Sequence, residues 1–170
     1  MASILHVAVG MLAGRLLAGR RSVAAMALGA GLSLLPDADV VAFAVGIPYE
    51  APFGHRGASH SLAFALTIGL GAALITRRKR PLRTGLIVTA TVASHGTLDM
   101  LTDGGLGVAL LWPVDEARHF WPWRPIPVSP IGPNFISARG AKVALAELGP
   151  SIPLVIASLW PARAQPKPES

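Results

Sequence analysis

The chain has no cysteine among its 170 residues, which excludes disulfides and thiolate metal sites. Any metal must therefore be held by His, Asp or Glu. Charge is scarce too: 14% of residues are charged against 52% hydrophobic, and the mean hydropathy of +0.52 lies above that of ordinary water-soluble domains. What charge there is leans one way, to a net +6. In a soluble protein that excess would suggest nucleic acid. In an apolar chain it marks cytoplasmic loops and contact with anionic headgroups, so membrane lipid is the expected partner and specific nucleic-acid binding is not expected. The start, MASILHVAVGMLAGRLLAGRR, lacks a basic n-region and an A-x-A cleavage site, so it does not read as a signal peptide. No internal repeat is visible.

What remains is a series of apolar segments. The first closes at Arg15, Arg20 and Arg21 and contains His6. The second, residues 23–47, is interrupted only by Asp37 and Asp39, and Pro36 predicts a stop or kink there. The third, SLAFALTIGLGAALI (61–75), ends at the basic run RRKR, and the fourth, residues 82–101, holds His95 and Asp99. A segment dense in Trp and Pro follows, LWPVDEARHFWPWRPIPVSPIGPN, too rich in proline for a regular helix. Its tryptophans 112, 121 and 123 suit a membrane–water boundary. A last helix over residues 138–160 is predicted to break near Pro150 and Pro153. Each segment approaches the ~20 residues of a membrane span, the first and third falling short. The expected fold is all-α: a small polytopic bundle of about four to five membrane helices with a Trp/Pro-rich interfacial loop. Residues 1–162 form one membrane-embedded domain, and 163–170 a disordered tail.

The basic residues give an orientation. With the Arg20–Arg21 turn and the 77–83 turn on the cytoplasmic side, Arg15, 20, 21, 77, 78, 80, 83 and 163 with Lys79 and Lys167 lie inside, ten of the fifteen. Arg56, Arg118, Arg124, Arg139 and Lys142 lie outside. On this map His6, Asp37, Asp39, His55, His60, His95 and Asp99 all fall towards the outer face, although none of them set the orientation. Segments far apart in sequence thus deliver their ionisable groups to one side of the membrane.

H-G-T-L-D (95–99) places His95 and Asp99 at i and i+4 on one helical face, where both reach a single ion. Ionisable groups in an apolar span are costly and usually functional. P-D-A-D (36–39) offers two carboxylates for bridging or sequential ligation, and equally a helix stop with Asp as the next N-cap. H-R-G-A-S-H-S (55–61) lets His55 and His60 converge and supplies Arg56 as a bidentate clamp for phosphate or carboxylate, with Ser59 and Ser61 as helix caps. Its plainer reading is a polar loop capping the third segment. Asp103 reads as a turn residue, and His119 as interfacial rather than ligating. The set suits one to three divalent ions, Zn first, with Mn or Fe also compatible. Such a site acidifies bound water into a hydroxide nucleophile, suited here to a lipid or phosphoester substrate.

An early His, L-P-D-x-D, H-R-G-x-S-H-S and H-x-x-L-D-x-x-T over residues 6–105 resemble the YdjM-type family. That family is described as membrane-bound metal-dependent hydrolases and as LexA-binding inner-membrane proteins. The resemblance implies a multi-pass protein of the bacterial inner membrane. It also implies His6, Asp37, His55, His60, His95 and Asp99 as metal positions, with Arg56 and Asp39 in supporting catalytic roles. The leading expectation is a hydrolase; the alternative is a non-catalytic interaction or regulatory protein with a structural metal. A di-iron oxygenase resembling the desaturases ranks low, because those sites use about eight histidines and this chain has five.

Overall fold

The structure is a computed structural model and describes residues 4–77, 79–130 and 132–161; the expected tail at 163–170 and three of the basic residues used for orientation (Arg78, Arg163, Lys167) lie outside them. The described residues are helical, with no strand beyond two isolated bridges. Helix α1 is Ile4–Ala18 and α2 is Val23–Leu34, which passes through a 3-10 turn, Leu35–Val40, into the short α3, Val41–Ala44. Helix α4 is Leu62–Ile75, α5 is Pro81–Asp99 and α6 is Ala138–Leu159. Serines start three of them: the hydroxyls of Ser22, Ser61 and Ser137 accept from the amides of Ala25, Phe64 and Gly140. Pro81 opens α5, where its missing N–H costs nothing.

Pro36 ends the α-helix, but the chain does not turn away there. It tightens to 3-10 geometry and runs on, so that Val23–Ala44 is one apolar stretch of 22 residues. Helix α6 departs from expectation: it continues unbroken through Pro150 and Pro153. Proline is tolerated inside such apolar helices because neighbouring groups re-satisfy the carbonyls it frees. Among the described residues Val23–Ala44 and Ala138–Leu159 are the two helices long and apolar enough to cross a membrane, while α1 and α4 are shorter apolar helices. Among the described residues the Trp/Pro segment has no α-helix, as its composition requires. It is stitched to the end of α5 by backbone hydrogen bonds, Trp121 N–H to Met100 O and Ile126 N–H to Leu101 O.

The burial pattern is inverted relative to a water-soluble domain. Among the described residues twelve hydrophobic side chains are buried against fifteen polar or charged ones, while Leu28, Leu70, Leu74, Leu86, Ile152 and Ile156 point outward. The apolar core that exists is small, Ala65, Val88 and Val92 with Leu17, Leu32 and Phe64 around it. Helices α1 and α2 instead meet backbone to backbone: a Cβ placed on Gly14 would lie 1.9 Å from the Ala25 carbonyl, and one on Gly29 2.0 Å from that of Gly10. Small residues allow this approach, which is how apolar helices associate without a hydrophobic driving force. Gly14→Leu is therefore expected to destabilise the fold by roughly 1–3 kcal/mol or more through overpacking, read as a lowered unfolding temperature in detergent.

Two arginines fix which ends lie together. Arg83, at the start of α5, donates to Leu16 O near the end of α1, and Arg15 donates to Trp160 O after α6. The opposite end gathers the first turn of α1, the end of α2 and the last turns of α5, and there the ionisable groups meet.

Candidate metal centre

The 3-10 turn after α2 decides how the two aspartates are used. With three residues per turn, positions two apart point to different sides, so Asp37 and Asp39 do not bridge a common point. They flank one imidazole instead. His60 turns its Nδ1 towards Asp39 Oδ2, 3.1 Å away, and its Nε2 towards Asp37 Oδ1 at 3.8 Å and Asp99 Oδ2 at 3.6 Å. Asp39 is a hub: it also accepts from His55 Nδ1–H at 2.6 Å, the Arg56 amide at 3.1 Å and the Ser59 hydroxyl at 2.6 Å. Ser59, expected as a helix cap, thus orients a carboxylate, and Ser61 alone caps α4.

Helix α5 brings His95 and Asp99 inward one turn apart. His95 Nδ1–H donates to Ser33 O at 2.7 Å, which aims its Nε2 at Asp37 Oδ1, 3.4 Å away. Asp37, His60, His95 and Asp99 are all buried and offer ligand atoms within 4.8 Å of one another. Four donors on a tetrahedral metal with bonds of about 2.0–2.1 Å stand about 3.4 Å apart. The separations of 3.4–3.8 Å are near that spacing and too long for good hydrogen bonds. The Nε2 atoms of His60 and His95 are buried and have no hydrogen-bond partner. Each ring is tied at its other nitrogen, the arrangement that presents a lone pair to a metal. The residues fit a divalent ion.

Burial alone would lower the His60 imidazole, but Asp37, Asp39 and Asp99 outweigh it and push its pKa up to about 10. The three carboxylates that favour the imidazolium give the site a negative potential. A second group, Asp39, His55 and His60, also brings its ligand atoms together. Its closest pair is 2.6 Å apart, a hydrogen bond already made, so this group reads as the frame of the first.

His6, from α1, lies beside this cluster. Its ring centroid is 4.1 Å from that of His95 and its Nε2 is 3.7 Å from Asp99 Oδ1. Arg56 is buried with its Nε 2.8 Å from Asp99 Oδ2, and its Nη1 donates to Thr102 Oγ1 and Gly104 O. Its backbone is left-handed, φ 62°, a strained conformation for a residue with a side chain. Asp103 accepts from the Val128 amide, a loop role in keeping with its sequence context, and His119 stays part-exposed beside Asp115.

Two residues carry weight that their sequence surroundings do not announce. Arg118, from the Trp/Pro segment, donates to the carbonyls of Tyr49, Ala51 and His55 and so clamps the H-R-G loop. Glu147, buried in α6, accepts from the Leu5 amide at 3.1 Å and closes the first turn of α1 beside His6. The available signal for Glu147 was an acid inside an apolar run. A cavity of about 10 Å³, enough for one water, lies between His6, Arg56, Asp99, Thr102, Ser129 and Glu147.

Comparison with known proteins agrees with the pattern of motifs. A family model described as YdjM inner membrane protein matches residues 1–163. The inner membrane protein YbcI of Escherichia coli (strain K12) is 41% identical over 121 residues, covering 69% of this chain and 70% of that protein. No solved structure matches.

Proposed function

The chain belongs to the YdjM inner membrane protein family, and from that premise we propose that it is a membrane-bound, metal-dependent hydrolase of phosphoester or lipid-like substrates. The observation that carries this reading is the pair of buried, unpartnered imidazole nitrogens facing two carboxylates, with a water-sized cavity alongside. His60, His95, Asp37 and Asp99 hold one divalent ion, zinc first, with Mn or Fe as the alternatives. The ion supplies Lewis acidity and acidifies bound water. His6 borders the cavity and is placed to take a proton there. Asp39 positions His60 and His55. Arg56 holds Asp99 and presents the remainder of its guanidinium to substrate.

The test is hydrolysis of a chromogenic phosphoester by detergent-purified protein. Activity is expected to disappear with a chelator and to return with one of the three metals. A metal-loaded protein without turnover on any phosphoester or ester would favour the second reading, a regulatory or interaction protein with a structural metal. The observation behind that reading is the burial of all four donors, since structural sites are closed.

We further propose a multi-pass topology with the centre near the outer face. The grouping of Arg15 and Arg83 at the opposite end of the bundle supports it, together with the bias of basic residues. The natural absence of cysteine makes this measurable: Phe53→Cys, at an exposed site two residues before His55, is expected to react with an impermeant maleimide from the periplasmic side. Labelling from the cytoplasm alone would invert the topology.

A further inference from the structure

A second cavity of about 250 Å³ opens next to the centre, and its chemistry differs from that of the first. Arg56, His55, Tyr49, Ser129 and Arg139 are its polar lining. Among the described residues no Asp or Glu lines it. The Ser129 hydroxyl is buried and has no hydrogen-bond partner, and Arg139 extends from the first turn of α6 as an exposed side chain. Gly105, at φ +84°, lets the chain pass close beneath: a Cβ there would lie 2.9 Å from the Tyr49 hydroxyl and 3.1 Å from Arg56 Nη1. Arg56 and His55 are held from behind by Asp99 and Asp39, so the cavity itself is faced by two guanidinium groups, an imidazole, a phenol and a hydroxyl short of a partner, with no carboxylate among its lining. A lining of donors without a carboxylate suits an anion.

We infer that this cavity is an anion subsite that takes the phosphoryl group of a phosphoester, with Arg139 and Ser129 as its specificity-determining residues. The inference deepens the hydrolase reading and rests on it for the role of the bound group. Arg56 and Ser129 line both cavities, so a phosphoryl group held here abuts the water-sized space beside Asp99 and His6. A planar guanidinium pairs two oxygens of a phosphoryl group, and a hydroxyl donates to a third. A carboxylate ester offers no anion to this set, so phosphoesters are preferred over carboxylic esters.

Inorganic phosphate is the probe, titrated by calorimetry and by 31P line broadening into full-length detergent-purified protein after chelator treatment, so that no metal provides the anion site. Saturable binding is expected, weakened about 10- to 100-fold by Arg139→Gln and weakened also by Ser129→Ala. Arg124→Gln removes the same charge outside the cavity, where the guanidinium lies over Phe120, and is expected to leave binding unchanged. Absence of saturable binding overturns the inference, as does equal weakening by Arg124→Gln. Competition by short-chain phosphatidic acid against glycerol phosphate then distinguishes a lipid source of the phosphoryl group from a soluble one. Metal content is measured on the same protein before chelator treatment and again after incubation with Zn, Mn or Fe. Phosphate binding by protein that takes up no metal keeps the subsite and sinks the metal reading; a metal-loaded protein indifferent to phosphate does the reverse.

Discussion

His60→Ala is expected to purify without metal, and the unaltered protein with close to one equivalent, as read by mass spectrometry of the elements. His60 is the imidazole that all three aspartates address, two at Nε2 and one at Nδ1. Its removal deletes a donor and leaves those carboxylates facing one another. The metal's contribution to stability is read with a chelator: an ion present at about a hundred times its Kd stabilises by about 2.7 kcal/mol. The unaltered protein should lose that increment, seen as a fall in unfolding temperature, while His60→Ala should not respond. Asp39→Asn gives the graded control. It touches only the far side of His60, so metal affinity should fall about 10- to 100-fold rather than vanish. Unaltered protein that takes up no Zn, Mn or Fe would remove the basis of the centre.

Arg56→Gln is expected to be the most destabilising single change in the H-R-G loop, by about 3–5 kcal/mol, because it removes a buried guanidinium held 2.8 Å from a buried carboxylate. Asp99 lies wholly inside the protein, and Arg56 is as deeply placed. The same guanidinium ties down Thr102 and Gly104, so the loop after α5 should loosen as well. Arg56→Lys keeps the charge without the fork and should recover part of the loss. Thermal unfolding in detergent, in the presence of chelator, separates this effect from any change in metal binding. A cost below about 1 kcal/mol would mean that the pair behaves like an exposed one.

Much of the centre was legible before any coordinates. His6, Asp37, His95 and Asp99 are ionisable residues set into apolar runs, and His60 closes the polar loop before the third, a cost and a placement that point to a joint purpose. The i, i+4 spacing of His95 and Asp99 translated directly into a shared face. Asp39 was harder to interpret, because its separation from Asp37 depends on a 3-10 turn that spacing alone does not reveal. Arg118 was indistinguishable from other loop cations until the backbone carbonyls of residues 49–55 were seen to converge on it. The helix-breaking reputation of Pro150 and Pro153 misled for a physical reason: it describes helices in water, where a freed carbonyl finds a cheaper partner outside the helix.

The hydrogen bond from the Leu5 amide to Glu147 joins positions 142 residues apart. A ribosome delivers His6 among the first residues and Glu147 near the last. The four clustered residues are therefore synthesised before α6, whereas the Leu5 amide finds the Glu147 carboxylate, and the small cavity its last wall, only when α6 follows. The order of synthesis makes α6 the closing piece. Asp37, His60, His95 and Asp99 all precede Ala138, so the last helix adds none of the four and instead supplies Glu147 to the cavity beside them.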